Sequence, residues 1–283
     1  MSPTAGRWLK LDRARTHLGT LDVSLNTIYP SSGPRIPLIA GFDLDDASWV
    51  VRTGDFRPPG ITVASTHIGD IVHNLRGALD HLVWDLAILD GGAWPVDALG
   101  REIETQFPIC GGSDGQRRFR SKTVQSVRLH SLTPEHRAVI ERFQPYVAGD
   151  DALTRLATIS NADKHRAVQP VFIVSQSAQP YIRGSRECEV VGGNGSRPIL
   201  QSGLEPNSEI LRLPLRNIGP DPHVDVLVEV AIGVGFEDRA PVTGTTLMRV
   251  ADVVEEILAA FEPELTAPEA LRTREAADRN HQP

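Results

Sequence analysis

The chain has 283 residues, of which 40% are hydrophobic, and a formal net charge of −7 at pH 7. This length and composition predict one large globular domain or two smaller ones, and the acidic balance excludes a protein that coats nucleic acid non-specifically. The apolar runs are shorter than a membrane span and the first residues lack the apolar core of a signal peptide. A cytoplasmic protein without membrane contact is therefore expected.

The first third of the chain predicts a helix, a hairpin and a second helix. Apolar residues at spacings of three and four predict an amphipathic helix over residues 7–29. A Ser-Ser-Gly-Pro sequence ends it, and residues 36–57 predict a β hairpin around an Asp-rich turn. Residues 62–90 then predict a long helix that ends at a pair of glycines.

The helix over 62–90 has an apolar face and a polar face of unusual composition. The apolar face contains Ile68, Ile71, Val72, Leu75, Leu79, Leu82 and Leu86. The polar face carries His67, Asp70, His73, Asn74, Arg76, Asp80, His81 and Asp85. Since His, Asn and Asp form helices less well than Lys, Glu and Gln, this face predicts chemistry or a specific contact rather than mere solubility.

The remainder of the chain predicts two helices, a β segment and a final helix. Residues 134–166 predict two consecutive helices, the first beginning at a Thr-Pro pair. Apolar alternation is unbroken from 224 to 236 within a β segment over 168–240, and 245–262 predict the last helix. The polar residues 264–283 predict a disordered tail. The fold class is thus α+β: a single domain over 1–283, a bundle of four to five helices with an antiparallel β segment inserted before the C-terminal helix.

Arg76 and His81 form an Arg-x4-His pair on the predicted helix. In this respect the chain resembles the HEPN superfamily, a resemblance that implies a helical bundle, a homodimer and metal-independent endoribonuclease activity. His81 would then move the proton of a ribose hydroxyl, and Arg76 would bind the scissile phosphate. The Asn-Leu-Arg-Gly-Ala-Leu-Asp-His and Asn-Ala-Asp-Lys-His-Arg sequences also resemble a group of uncharacterised bacterial proteins, which implies no activity.

Further ionisable residues are expected to support this pair. Asp163 would orient an imidazole if the end of its helix meets the polar face. The supporting set consists of Asn74, Asp80, Asp163, Lys164 and His165. The alternative is structural: Arg76 pairs with Asp80 at i,i+4, and the charges at the end of the later helix only complement its dipole.

A basic run between residues 115 and 134 contains no acidic residue. Its candidate RNA-binding residues are Arg117, Arg118, Arg120, Lys122 and Arg128. These side chains would contact RNA phosphates. The alternative is an exposed surface whose charge balances an acidic protein.

Metal binding is the rival chemistry on the same helix. His67, Asp70, Asn74 and His81 share one side of it, and His17, Asp163 or His165 would have to complete a site. The chain has no Glu-x-x-His motif, and its two cysteines lie far apart in sequence. A metal-free protein without a cofactor is therefore the first expectation.

The sequence thus leaves two classes of function open. The first is an HEPN-like protein that cleaves or binds RNA without a metal and acts as a homodimer. The second is a non-enzymatic binding or structural protein whose polar helix face is a hydrogen-bond network, with a metal-binding bundle as the rarer variant. RNA and a protein partner such as an antitoxin are the candidate partners.

Overall fold

A computed structural model describes residues 5–28, 37–55, 61–97, 99–165, 170–174, 181–192, 206–227, 230–234 and 242–281. The chain folds into two compact units, each assembled from separated segments. The helical unit consists of Met1–Leu21, Thr66–Ala167 and Gly244–Pro283, and the β unit of Asp22–Ser65 and Val168–Thr243.

The predicted helices are present, which confirms the helical half of the α+β class. The long helices are α1 (Ala5–Ile28), α2 (Ile61–Gly91), α6 (Ala152–His165), α7 (Gly244–Leu265) and α8 (Pro268–His281). Short helices α3 (Gly115–Phe119), α4 (Pro134–Arg142) and α5 (Pro145–Ala148) accompany a π-helical turn, Val124–Arg128. Among the described helices, none is long and apolar enough to cross a bilayer.

The core of the helical unit is built around α2. All seven residues of its predicted apolar face are buried, and apolar residues of α6 and α7 are buried as well. These are Ile68, Ile71, Val72, Leu75, Leu79, Leu82 and Leu86 on α2, Leu153, Leu156 and Ile159 on α6, and Leu247, Val250, Val254, Ile257, Leu258 and Phe261 on α7. The helical period of the apolar residues therefore identified the buried faces.

Helices α1 and α2 pack side by side and antiparallel. A Cβ on Gly6 would lie 2.8 Å from Nδ1 of His81, and a Cβ on Gly77 would lie 3.5 Å from Cδ of Lys10. Residue numbers therefore rise along α1 while they fall along the facing part of α2. Glycine at position 6 is what allows the His81 ring to lie so close to the α1 backbone.

The residues predicted as a disordered tail form helix α8 instead. Ala270 and Ala277 are buried, the Arg274 guanidinium donates to the Asp85 carboxylate, and the Trp94 indole stacks on His281 at a centroid distance of 4.0 Å. The prediction of disorder was wrong because small apolar residues and long-range partners stabilise this helix. A polar composition does not reveal such tertiary contacts.

The β unit contains antiparallel sheets. Its strands are β1 (Leu38–Asp43), β2 (Ser48–Thr53), β3 (Pro170–Val174), β4 (Tyr181–Arg186), β5 (Glu189–Val190), β6 (Glu209–Arg216), β7 (His223–Leu227), β8 (Val230–Val234) and β9 (Val242–Thr243). Strand orders are β1-β2-β6-β5, β3-β8-β9 and β4-β7. The predicted hairpin is β1–β2, but the alternation over 224–236 corresponds to two strands that pair with different partners. Trp49, Cys188, Leu211 and Leu213 belong to the core of this unit.

His136 on α4 lies in a buried hydrogen-bond network. Its Nδ1 is 2.7 Å from a carboxylate oxygen of Asp90, and its Nε2 is 2.7 Å from one of Glu264. The hydrogen bond to Asp90 raises the pKa of His136 and that to Glu264 adds to the increase, against the effect of burial. The protonated imidazole therefore stabilises the fold by donating to both carboxylates.

The free energy of unfolding should therefore depend on pH through His136. Because the folded pKa lies above the unfolded value of about 6.5, this stabilisation is complete below about pH 6.5 and is lost as the pH rises through the folded pKa. Urea unfolding over a series of pH values should show this loss in the native protein and not in His136→Phe. Equal pH slopes in the two proteins would contradict it.

Candidate metal site

The antiparallel packing of α1 on α2 brings three metal-ligating side chains together. His17 lies on α1, and His67 and Asp70 lie one helical turn apart on α2. One ligand atom from each residue lies within 4.8 Å of the other two, and Nδ1 of His17 is 3.9 Å from a carboxylate oxygen of Asp70. We call these three residues the His–Asp cluster.

The His–Asp cluster lies at an edge of the helical unit. The His17 side chain is 14% exposed and that of Asp70 is 49% exposed, so one side of the cluster meets solvent. The His67 ring lies 5.8 Å from the His17 ring, and its Nδ1 is buried without a hydrogen-bond partner among the described residues. A buried polar atom without a partner costs about 1–3 kcal/mol, which a bound cation would remove.

Two imidazole nitrogens and one carboxylate oxygen form a ligand set that suits zinc and related divalent transition metals. Bonds of about 2.0–2.1 Å around a tetrahedral ion place its ligand atoms about 3.3 Å apart. Nδ1 of His17 and a carboxylate oxygen of Asp70 are 3.9 Å apart. Side-chain rotations that shorten this distance by about 0.6 Å would give the separation expected around a tetrahedral ion. The arrangement can therefore hold a cation with three protein ligands.

Two other residues of the predicted metal set lie elsewhere. The Asn74 side chain donates to the backbone oxygen of Asp70 at 2.8 Å, a bond within α2 that occupies its amide nitrogen. The His81 ring lies against Gly6, several turns along α2 from Asp70. The sequence predicts that His67 and Asp70 share one face of the helix, as they do in the structure. His17 is one of the residues that the sequence offers to complete the site.

Arg76 and His81 make different contacts. The Arg76 guanidinium lies 3.0 Å from the Asp80 carboxylate and donates to the backbone oxygen of Phe107 at 2.5 Å, while Asp80 accepts from the backbone N–H of Phe107 at 2.9 Å. Among the described residues, no hydrogen bond joins Arg76 to His81. Five residues along a helix separate side-chain directions by about 140°. RNA cleavage by this pair stays a prediction that these contacts do not favour.

Loss of Arg76 should destabilise the fold, because its guanidinium holds the Phe107 segment against α2. Burial lowers the pKa of Arg76, although Asp80 acts in the opposite direction. Arg76→Ala leaves the Phe107 carbonyl without this donor, so we expect a loss of about 2 kcal/mol in the free energy of unfolding. Urea denaturation measures this loss.

Arg101→Ala is the matched control for Arg76→Ala. Arg101 also pairs with an aspartate four residues away, Asp97 at 2.6 Å, but its side chain is exposed. Its removal should cost less than about 1 kcal/mol. If the two variants are equally stable, Arg76 has no structural role and its guanidinium is available to a ligand.

The second predicted cluster lies largely outside the described part of the chain. Asp163, Lys164 and His165 belong to the last turn of α6, as predicted, but their side chains fall outside the described residues. Their predicted role beside His81 therefore stays a prediction.

The predicted basic run covers α3 and the π-helical turn. Arg117 and Arg118 lie 3.3 and 3.6 Å from the Asp114 carboxylate, which immediately precedes the run, and Arg120 lies 4.0 Å from Glu141. Lys122 is exposed, and Arg128 ends the π-helical turn. Three of the five basic side chains are thus near carboxylates, which weakens the positive surface expected from the sequence. RNA binding by this run stays a prediction.

Comparisons of the chain with protein-family models, with curated proteins and with solved structures give no match. The His–Asp cluster is consequently interpreted from its own geometry. From the sequence alone, His17 is only one of three residues that could complete a metal site. Only the pairing offset of α1 and α2 shows that His17 faces Asp70.

Proposed function

We propose that this chain is a metal-binding protein that holds a divalent transition metal of the zinc class on His17, His67 and Asp70. The observation that carries the proposal is the approach of one ligand atom from each of these three residues to within 4.8 Å of the other two. The buried Nδ1 of His67, which has no hydrogen-bond partner among the described residues, lies in the same imidazole ring. A metal ion at this place would be held by both imidazoles and by the carboxylate.

The number of ligands found among the described residues supports an open site rather than a purely structural one. Structural zinc sites use four protein ligands, whereas catalytic sites use three and keep a position for water. The partly exposed Asp70 side chain places the cluster at the protein surface, where water and a small substrate have access. The cluster therefore fits a metal centre with at least one exchangeable position.

An exchangeable position defines the chemistry that we assign to the site. A zinc ion lowers the pKa of its bound water to about 7, which supplies a hydroxide nucleophile at neutral pH. Metal-assisted hydrolysis is the reaction class that follows. His17 and His67 would fix the ion on two different helices, and Asp70 would partly neutralise its charge.

Titration of the metal-free protein with Co²⁺ tests the proposal. Co²⁺ replaces zinc in such sites, and its visible absorption intensifies when water ligands give way to a four-coordinate set of nitrogen and oxygen. We expect saturation at one ion per chain and displacement of Co²⁺ by Zn²⁺. An unchanged Co²⁺ spectrum would overturn the proposal.

His73→Ala is the control for this titration, because His73 is exposed on α2 close to Asp70 but is outside the His–Asp cluster. The control should bind Co²⁺ as the native protein does. If Co²⁺ binding is lost equally in His73→Ala and His67→Ala, the metal is held by surface histidines and not by the cluster.

One incubation distinguishes metal-independent RNA cleavage from cleavage that requires a metal ion. Mixed RNA is treated with the native protein in EDTA, and with Arg76→Ala and His81→Ala. Cleavage that survives EDTA and disappears in both variants favours the Arg/His pair over the metal centre. Cleavage that EDTA abolishes favours the His–Asp cluster.

A further inference from the structure

A second feature of the helical unit is an open cleft of about 490 Å³. Its walls are Trp84 on α2, the segment 102–106, and the π-helical turn with the preceding Thr123. The volume falls within the range of about 300–1,000 Å³ that is usual for small-molecule sites. None of these residues belongs to the His–Asp cluster.

The cleft is lined by charges of both signs that have no ion-pair partner in the described part of the chain. Glu102, Glu104 and Arg128 line it, and none of them forms an ion pair with another described residue. The neighbouring exposed Arg101, in contrast, forms an ion pair with Asp97. Unpaired charges on a cleft wall are available to a ligand with complementary charges.

Apolar and hydrogen-bonding groups accompany these charges. Ile103, the exposed Val127 and the partly buried Trp84 give the cleft an apolar surface. Gln106 and Thr123 are further polar residues of the lining. The cleft thus combines an apolar lining with a few polar groups, the usual composition of a binding site.

The walls of the cleft are held in place by the surrounding backbone. The N–H of Gln106 donates to the carbonyl of Arg128 at 3.0 Å, which joins the segment to the π-helical turn, and the N–H of Ile103 donates to Pro95 at 2.9 Å. π-Helical turns are rare and frequently occur at functional sites. The charged groups are therefore presented from fixed backbone, which lowers the cost of binding.

We propose that this cleft binds a small zwitterion of the amino-acid class. Arg128 binds the carboxylate, and Glu102 and Glu104 bind the ammonium group. The apolar side chain of the ligand packs against Ile103, Val127 and Trp84. This charge pattern and volume suit a free apolar amino acid or a dipeptide, and they disfavour a polyanion such as RNA because two carboxylates line the same cleft.

Calorimetric titration of the native protein tests this proposal. The probes are L-leucine, L-phenylalanine and L-tryptophan, with leucyl-leucine as the dipeptide. Isoamylamine lacks the carboxylate, 4-methylpentanoate lacks the ammonium group, and a single-stranded oligoribonucleotide represents RNA. We expect binding of at least one amino acid or the dipeptide, and the stronger of the two sources identifies the ligand. Isoamylamine and 4-methylpentanoate should bind at least about tenfold more weakly.

Two variants and a control assign the charges. Arg128→Gln should weaken binding of the zwitterion about tenfold or more but leave binding of isoamylamine unchanged. Glu104→Gln should also weaken binding of the zwitterion, but it should leave binding of 4-methylpentanoate unchanged. Lys122→Gln removes an exposed charge of the same basic run that does not line the cleft, and it should leave binding of the zwitterion unchanged. Thermal unfolding of each variant without ligand shows that it is folded.

Three outcomes would overturn the proposal. In the first, no amino acid or dipeptide gives binding heat at millimolar concentration. In the second, the one-charge analogues bind as tightly as the zwitterion, and in the third only the oligoribonucleotide binds. The titration is carried out with and without Zn²⁺. A failure of the cleft proposal is therefore distinguished from a failure of the metal-site proposal.

Discussion

Replacement of His67 by alanine is expected to lower the affinity of the protein for Zn²⁺ more than about 100-fold. Loss of a residue that only supports a metal ligand costs about 10- to 100-fold in affinity, and loss of the ligand itself should exceed this. Competition against a zinc-responsive dye measures the affinity. His67→Ala also removes the buried Nδ1 that has no hydrogen-bond partner in the described ranges, so the metal-free variant should remain folded.

The same substitution should abolish the stabilisation of the fold by zinc. A ligand that binds only the folded state at 100 times its dissociation constant adds about 2.7 kcal/mol. The native protein and His73→Ala should therefore unfold at a higher temperature with Zn²⁺ than without it, whereas His67→Ala should not. If His67→Ala retains the native affinity, the His–Asp cluster is not a metal site.

Replacement of Asp85 by alanine is expected to lower the free energy of unfolding by about 3–5 kcal/mol. The Asp85 side chain on α2 is 6% exposed and lies 2.6 Å from the guanidinium of Arg7, which is 2% exposed. Asp85 also accepts from Arg274 on α8, and Arg7 donates to Glu262 on α7 at 2.7 Å. Without Asp85, the buried cation of Arg7 keeps Glu262 as its one carboxylate partner among the described residues, and the contact that Asp85 makes with both Arg7 and Arg274 is lost.

Asp252→Ala is the control for Asp85→Ala. Asp252 lies 3.7 Å from Arg15, but both side chains are exposed, so its removal should cost less than about 1 kcal/mol. Urea unfolding of both variants gives the comparison. A cost for Asp85→Ala as small as that of the control would contradict the structural role of this buried network.

Regular periodicity explains what could be predicted of the fold. The apolar stripe of α2 and the Asp-rich turn of the β1–β2 hairpin are local features that the chain displays directly. Helix α8 was missed because Ala270 and Ala277 carry little apolar area, and because its partners Asp85 and Trp94 are remote in sequence. The number of compact units was equally invisible, since both are assembled from distant segments.

The candidate site could be predicted only in part, for a similar reason. His67 and Asp70 share a helix face at i,i+3, which a single helix reveals. That His17 faces them depends on the offset between α1 and α2, which Gly6 sets by admitting the His81 ring. Arg76 and His81 had suggested a pair by spacing alone, whereas the Phe107 carbonyl and Gly6 give each of them a separate contact.

X-ray absorption spectroscopy of the zinc-loaded protein tests the central claim most directly. We expect two imidazole nitrogens and one or two light oxygen ligands at about 2.0–2.2 Å from the zinc ion, with one imidazole lost in His67→Ala and again in His17→Ala. A shell that contains sulfur, or one that both variants leave unchanged, would contradict a metal centre on His17, His67 and Asp70.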